Sequence, residues 1–445
     1  MGDQAVLRIS RELAQIQHTA DLSIAVDYDE SDIRHVRAVI LGPPETPYQF
    51  GFFEFAIKFG KEYPARPPDV RALTTNGGSC RFSPNLYAGG KVCLSILGTW
   101  SGDRGEEWSS AQGLESVLIS IQSLMSSNPY ENEPGFDNAK SDSDKLNMEQ
   151  YKSKIRHETI RIAVIQPLEA ALGILPGGTE KLPTNRIWED TDSSEDEAVA
   201  SSTPFFDLRK RRFLWYYESF MQLVESEARF VQPKSRFQWM PFEHGSNAMD
   251  GHFNYPELKR RLALIRDNIF KETEGWKLQG LQAKKDEIGI AVNLQRQFEQ
   301  IVENLKHHKN YSLDLNIVDE NPFLWRLTYF GRPTTPLEGG IIKIRIHLST
   351  QFPKEQPRVF LDAPLAHVRV SPQGVLCYLP KKTEDMRHHI EAIVAALEEE
   401  DPPYDPRTTV NPEASKLFWG SPEDRKKYKR TLRRDVERSV EDSLG

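Results

Sequence analysis

Cysteine is the scarcest residue type of chemical interest in this chain, with only Cys80, Cys93 and Cys377 in 445 residues. Three thiols cannot build a disulfide framework or a four-thiolate zinc site, so each is read as an individual sulfur and no metal or cofactor is expected. Positive charge is not in excess either. Against 57 Lys and Arg stand 65 Asp and Glu, a net charge of -8 with a pI near 5.9, which leaves no global positive field to hold nucleic acid. No run of 18 apolar residues occurs. The N-terminal "MGDQAVLRISREL" lacks the apolar core behind basic residues that marks a signal peptide. The expectation is a soluble, intracellular protein with no membrane partner. Hydrophobic residues, at 38%, fall below the ~45–50% of an average globular chain even when glycine is counted with them, so part of the length is linker or exposed helix. At roughly 150 residues per domain the length allows about three modules.

Residues 4–17, "QAVLRISRELAQIQ", set Val6, Ile9, Leu13 and Ile16 on one helical face. Short β-branched and aromatic runs follow at 22–28, 35–42 and 51–59, separated by Asp, Gly and Pro, and predict an antiparallel meander. The three prolines of "EYPARPPDV" remove ladder donors, so that stretch is a crossing loop with a fourth strand after it. Helical periodicity returns at 110–125 and over 145–173. From Glu189 to Glu197 six carboxylates fall in nine residues, and like-charge repulsion without apolar anchors makes this a solvated spacer. Residues 207–228 read as an aromatic-rich helix whose rings belong to a core.

The chain also repeats itself. "GPPETPYQFG" at 42–51 returns as "GRPTTPLEGG" at 331–340, and Pro64 of "EYPARPP" returns, with the same displacement, as Pro353 of "QFPKEQP". The second copy is five residues shorter between its Pro-loop and its thiol, Cys377. Both halves share the order helix, meander, Pro-loop, cysteine, helix, and a duplicated α+β domain is expected.

Around the first thiol the order is Ser83, Pro84, Asn85, seven further residues, then Cys93, downstream of "GPPETPY" and "YPARPP" and upstream of Trp108. These four landmarks together resemble the core of ubiquitin-conjugating enzymes. The resemblance implies that Cys93 is the nucleophile: it takes a ubiquitin C-terminus from an activating enzyme as a thioester and releases it to a lysine amine. Asn85 would offer its side-chain N–H to the tetrahedral oxyanion on the way. A thioester is reactive enough to need no strong base beside the sulfur, and no His lies near Cys93 in sequence. Three positions depart from the family: Ser83 stands where histidine is usual, Ser110 where the Trp-Ser-Pro-Ala motif has proline, and Ala65 where the Pro-loop often has an aromatic. The first predicts altered loop packing; the other two leave the choice of ligase open. Between Cys93 and Trp108 a polar loop, longer than in a minimal family member, is either a gate over the thioester or a plain surface insertion.

The similarity extends to the class Z enzymes and their helical C-terminal extension over residues 4–272, through "NPYENEPGF" (128–136), "IRHETIRIAV" (155–164), "FLWYYESF" (213–220) and "GHFNYPELKRRLALIRDNIF" (251–270). It implies that the first of these segments lies near the thiol, so Glu131, Asn132 or Glu133 is a candidate to activate the incoming lysine, against a capping role for each. The implied partners are ubiquitin, an activating enzyme, a ligase and protein substrates, and the implied location is the cytoplasm, with the nucleus as an alternative.

In the second copy His367, Val368 and Arg369 precede Cys377 at the spacing of His-Pro-Asn, but Arg369 occupies the oxyanion position and no Trp follows in "YLPKKTED". A guanidinium cannot copy a compact amide, so this domain is expected to be a degenerate partner-binding fold with Cys377 a doubtful second thiol. The adjacent His388 and His389 are read as a solvated helix start, because neighbours on a helix do not share a face. Eight Lys or Arg between Arg425 and Arg438 are read as a solvated face. The expected organisation is a conjugating core at 1–175, an acidic linker at 186–204, a helical extension at 205–280 and the second domain at 285–440. The rival readings are a non-catalytic adaptor that binds ubiquitin or a ligase, and a thiol hydrolase, which needs a base that folding would have to bring to Cys93.

Overall fold

An apolar stripe opens the chain. In α1 (Gly2–His18) the side chains of Ala5, Ile9, Leu13 and Ile16 are buried at three- and four-residue spacing. The structure, a computed structural model, describes residues 2–18, 22–101, 106–138, 140–174 and 204–444. The acidic run at 189–197, and all of the expected linker except residue 204, lie outside the described residues. The chain divides into two compact units: 1–206 with 223–262, and 207–222 with 263–445. The segment 205–280 thus contributes to both.

In the first unit the meander is formed by β1 (Ile24–Tyr28), β2 (His35–Leu41), β3 (Phe52–Lys58) and β4 (Asp69–Ala72), antiparallel in the order β1-β2-β3-β4. Six consecutive residues of β3, Phe52 to Ile57, are buried, as expected of an inner strand covered on both faces. Gly42, just after β2, has no room for a side chain: a Cβ there would stand 1.8 Å from the Tyr48 carbonyl oxygen. α2 (Leu114–Ser123) buries Leu114, Val117, Leu118 and Ile121 and has no cap of its own. Glu12 of α1 supplies one, accepting from Leu114 N at 2.9 Å and from the Tyr63 hydroxyl at 2.6 Å. The predicted helix over 145–173 is three joined segments: α3 (Asp142–Glu158), a π-helical stretch Thr159–Ile165, and α4 (Gln166–Leu172). The widened stretch ends just before Pro167, which has no N–H to continue a regular ladder.

α5 (Phe206–Glu227) and α6 (Tyr255–Lys285) follow. The residues between them in the first unit lie against α3. Lys154 and Glu243 form an ion pair in which both side chains are fully buried, and Glu243 also accepts from Met240 N at 2.7 Å and Met249 N at 3.1 Å. Phe237, Phe253 and Tyr255 surround the His157 ring, whose Nε2 accepts from Asn254 N at 2.9 Å.

The second unit repeats the plan. After α7 (Gly289–His307) come β5 (Leu313–Ile317), β6 (Leu324–Phe330), β7 (Ile341–His347) and β8 (Arg358–Leu361), again antiparallel in chain order. α8 (Met386–Glu398), α9 (Pro412–Phe418) and α10 (Pro422–Leu444) complete it. The repeated glycine behaves alike: a Cβ on Gly331 would meet the Leu337 carbonyl oxygen at 1.7 Å. The rings of the 207–228 helix are core, with Phe213, Trp215, Tyr216, Tyr217 and Phe220 buried. Among the described residues no helix is long and apolar enough to cross a membrane.

The Lys154–Glu243 pair makes a stability prediction. Lys154→Met leaves a buried carboxylate uncompensated and should cost about 3–5 kcal/mol in denaturant unfolding of the full chain, whereas Lys154→Met combined with Glu243→Gln, which removes the charge and keeps an acceptor for Met240 N and Met249 N, should recover part of it. A single-variant loss below about 1 kcal/mol would mean that the pair is solvated.

Candidate active site

From β4 the chain passes through Cys80 and Arg81 into Ser83-Pro84-Asn85, turns and comes back on itself. Leu86 N donates to Ser83 O (3.0 Å), Tyr87 N to Lys91 O (3.0 Å), Gly90 N to Tyr87 O (2.9 Å) and Cys93 N to Asn85 O (2.9 Å). The reversal needs Gly90, which sits at φ 90°, where a Cβ would meet Ala72 O at 2.8 Å. The Asn85 carboxamide returns a bond from Nδ2 to Cys93 O at 3.1 Å, and its Oδ1 is buried with no partner among the described residues. Asn85 and Cys93, paired in the sequence through the family resemblance, are therefore in contact.

Cys93 is 3% exposed, beside half-buried Asn85, Tyr87 and Leu94. Tyr87 lies in the same loop, and burial first, then negative charge at Cys93, raises its hydroxyl above its ordinary range. Ser83 is buried, and its Oγ accepts from Asn85 N at 3.3 Å. A hydroxyl thus holds the Asn85 backbone where the family's histidine would stand. The loop after the thiol is tied down by Thr99, whose hydroxyl donates to Val92 O at 2.7 Å, and Trp108 Nε1 donates to Pro64 O at 2.8 Å, joining the Trp segment to the Pro-loop. Residues 102–105 of that loop lie outside the described residues.

The three candidate lysine-activating residues part company. Asn132 Nδ2 donates to Leu124 O at 2.9 Å, tying its segment to the end of α2. Glu131 is exposed in the first turn of a short 3-10 helix. Glu133 pairs with buried Arg81 at 3.2 Å and adds its charge to those acting on Tyr87, so it stands in the same cluster as the thiol. No group of three or more His, Cys, Asp or Glu able to hold a metal occurs among the described residues.

The second copy has the same backbone with different side chains on it. Val370 N donates to His367 O (3.1 Å), Ser371 N to Val375 O (2.9 Å), Gly374 N to Ser371 O (2.9 Å) and Cys377 N to Arg369 O (2.8 Å), bond for bond as in the first. Gly374, at φ 80°, repeats Gly90.

The family itself matches along the chain twice. The ubiquitin-conjugating enzyme family covers residues 8–159 and again 293–435, each segment containing one of these loops. This chain belongs to the ubiquitin-conjugating enzyme family. It is 38% identical over 268 residues to the ubiquitin-conjugating enzyme E2 Z of Homo sapiens, a match of 60% of this chain and 64% of that protein. To E2 Z of Xenopus tropicalis it is 49% identical over 274 residues, 60% of this chain and 73% of that protein. With E2 Z of Danio rerio it shares 48% over 168 residues, 38% and 49% of the two chains. The chain thus spans about 64% of the human relative's length.

Within this family fold the two thiols differ. Burial pushes the Cys377 thiol up to about 11 against the opposing charges of Arg369 and Arg212, and it is 1% exposed. The Arg369 guanidinium pairs with Glu399 at 2.6 Å and donates to Thr408 O. His367 is buried, accepts from Arg369 N at 3.1 Å, and is brought down to about 4 by burial and then by the Arg369 charge. His389 corrects the expectation of a solvated helix start: it is 1% exposed, its Nδ1 bonds the Tyr378 hydroxyl at 2.9 Å and its Nε2 the Thr383 carbonyl at 3.1 Å. Only His388 has the partly exposed character expected of the pair.

Sequence reading missed Tyr87 and Arg81. Tyr87 was detectable, since it sits two residues after Asn85 on a stretch that must return to Cys93. Arg81 carried no signal, because a lone arginine before a motif is ordinarily solvated.

A thiol at about 11 is roughly one part in a thousand thiolate at pH 8, and thiolate is what alkylates. Iodoacetamide treatment of the native protein at pH 8, read by mass spectrometry, should leave Cys377 unmodified until denaturant is added. Native labelling of Cys377 would contradict its buried placement.

Proposed function

We propose that this protein accepts ubiquitin as a thioester on Cys93 from an activating enzyme and transfers it to a substrate lysine, usually with a ligase. The observation that carries the reading is the contact of the Asn85 carboxamide with the Cys93 backbone at 3.1 Å, inside a segment that matches the family. In the transfer, the amine nitrogen's lone pair forms the new bond to the thioester carbonyl carbon. The carbonyl oxygen takes negative charge, the C–S bond then breaks with its electron pair going to sulfur, and the amine's extra proton leaves to solvent or a nearby carboxylate. An amide and the Cys93 thiolate result, and the sulfur regains a proton from solvent. Asn85 Nδ2 is the donor for the oxyanion, exchanging its bond to Cys93 O for one to the developing charge. Glu133, beside Tyr87, is the carboxylate favoured for the incoming lysine.

The second unit serves in this reading as a partner-binding domain, since Cys377 is pushed up to about 11 and Arg369 is engaged with Glu399. In this reading 1–175 is the conjugating core and 285–440 the second domain, with 205–280 divided between the two units.

The test is charging with ubiquitin, ATP and a panel of activating enzymes. A reductant-sensitive adduct should form, vanish in Cys93→Ala and persist in Cys377→Ala. Adduct that survives loss of Cys93 and disappears with Cys377 would overturn the assignment. Asn85→Ala should still charge, with discharge onto free lysine slowed about 10²–10³-fold.

A further inference from the structure

A buried guanidinium lies behind the thiol loop with nothing in the proposed chemistry to explain it. Arg81 is 3% exposed. Its Nη2 donates to the Pro84 carbonyl at 2.7 Å and to Glu133 Oε2 at 3.2 Å. The guanidinium carbon stands 4.8 Å from the centre of the Tyr87 ring and 5.8 Å from that of Phe242. Phe242 belongs to the segment after α5 and is itself fixed by ring contacts with Tyr130, Phe136 and Tyr151 at 5.3, 5.4 and 5.5 Å.

Each of these contacts constrains a group close to Cys93. The Pro84 carbonyl is part of the peptide plane whose nitrogen is Asn85 N, so fixing that oxygen sets the direction from which the Asn85 side chain leaves the backbone. The second constraint is on the Tyr87 ring, two residues past Asn85 in the loop that closes on Cys93, whose face is held by the cation. Glu133 is held on the same side by charge. Removing a cation from water is costly, so a guanidinium kept here without full hydrogen bonding, its Nε having no partner among the described residues, points to a role that an apolar residue could not fill. The second copy supplies the comparison within one chain. Counting back from Cys377 by the same number of residues, Leu365 takes the place of Arg81, Arg369 that of Asn85 and Ser371 that of Tyr87. Where the carboxamide and the phenol are gone, the guanidinium is gone too, and the backbone reversal survives without it.

We propose that Arg81 is a positioning residue for acyl transfer from Cys93, acting through the Pro84 carbonyl, the Tyr87 ring and Glu133 to hold Asn85 and Tyr87 at the thiol. The proposal rests on the transfer reaction proposed above. Lysine cannot replace it, because one ammonium cannot span a carbonyl, a carboxylate and a ring face at once.

The experiment uses the full chain, charged with ubiquitin by an activating enzyme and ATP, then chased with free lysine over a range of concentrations. First-order decay of the adduct is followed, so the extent of charging does not enter. Arg81→Lys and Arg81→Leu should still form adduct on Cys93 and lose on the order of 10- to 100-fold in the limiting discharge rate, with the half-saturating lysine concentration little changed. Because Arg81 acts in part through Asn85, adding Arg81→Lys to Asn85→Ala should slow discharge by clearly less than the product of the two separate losses. A role confined to stability would show as a lowered melting temperature with full discharge at 15 °C, and that result overturns the proposal. So does a product of independent losses in the double variant. If Arg81→Leu does not fold, Arg81→Lys, which keeps the buried charge, decides alone. A wild-type protein that never charges on Cys93 instead refutes the transfer reading, and this proposal with it.

Discussion

Seven residues separate Asn85 from Cys93, and one backbone bond of 2.9 Å from Cys93 N to Asn85 O closes them into a loop. That closure is what the rest of the site depends on. It requires a left-handed residue, supplied by Gly90 under the Ala72 carbonyl, and it sets residue 85 against residue 93 whatever their side chains are. The second copy makes the separation of backbone from chemistry visible. Its loop closes with a bond of 2.8 Å and its own glycine, yet presents Arg369 and a thiol pushed up to about 11. One polypeptide therefore carries the same reversal twice, once with a compact amide bonded to the cysteine's own carbonyl and once with a cation paired with Glu399.

Charge buried in the first unit is organised rather than tolerated. Arg81, Lys154 and Glu243 are all removed from solvent, and each has partners that belong to different parts of the chain. Lys154 belongs to α3 and its carboxylate to the segment after α5, while Arg81 touches the loop, the 128–136 segment and Phe242. In a low-dielectric interior such pairs contribute little net stability over apolar packing, but they penalise any arrangement that separates the partners. They select one conformation of the first unit over near alternatives that bury the same apolar surface.

How much of this was legible depended on the kind of information each feature uses. The first meander followed from β-branched and aromatic runs with Asp, Gly and Pro punctuation, and the second from the returning "GPPETPYQFG" motif, because strand composition and close-approach glycines leave marks in local sequence. The contact of Asn85 with Cys93 was legible as a spacing. The π-helical stretch was not, since a widened turn has nearly the periodicity of an α-helix over seven residues. His389 was misjudged for a related reason: adjacency to His388 says that the two differ in face, but not which face the Tyr378 hydroxyl meets. Arg81 needed the fold, because its partners lie three, six and more than fifty residues away and no short window contains them all.

The segment between α5 and α6 bears on where the first unit can be cut. A fragment ended after α4 would strip Lys154 of its carboxylate, uncover the His157 ring and take Phe242 from behind the Arg81 guanidinium. It would also part Glu169 from Arg261, paired at 2.6 Å. The smallest piece that keeps every buried charge of the first thiol's surroundings neutralised thus runs into the opening turns of α6, and the familiar minimal core is, in this chain, an incomplete electrostatic object.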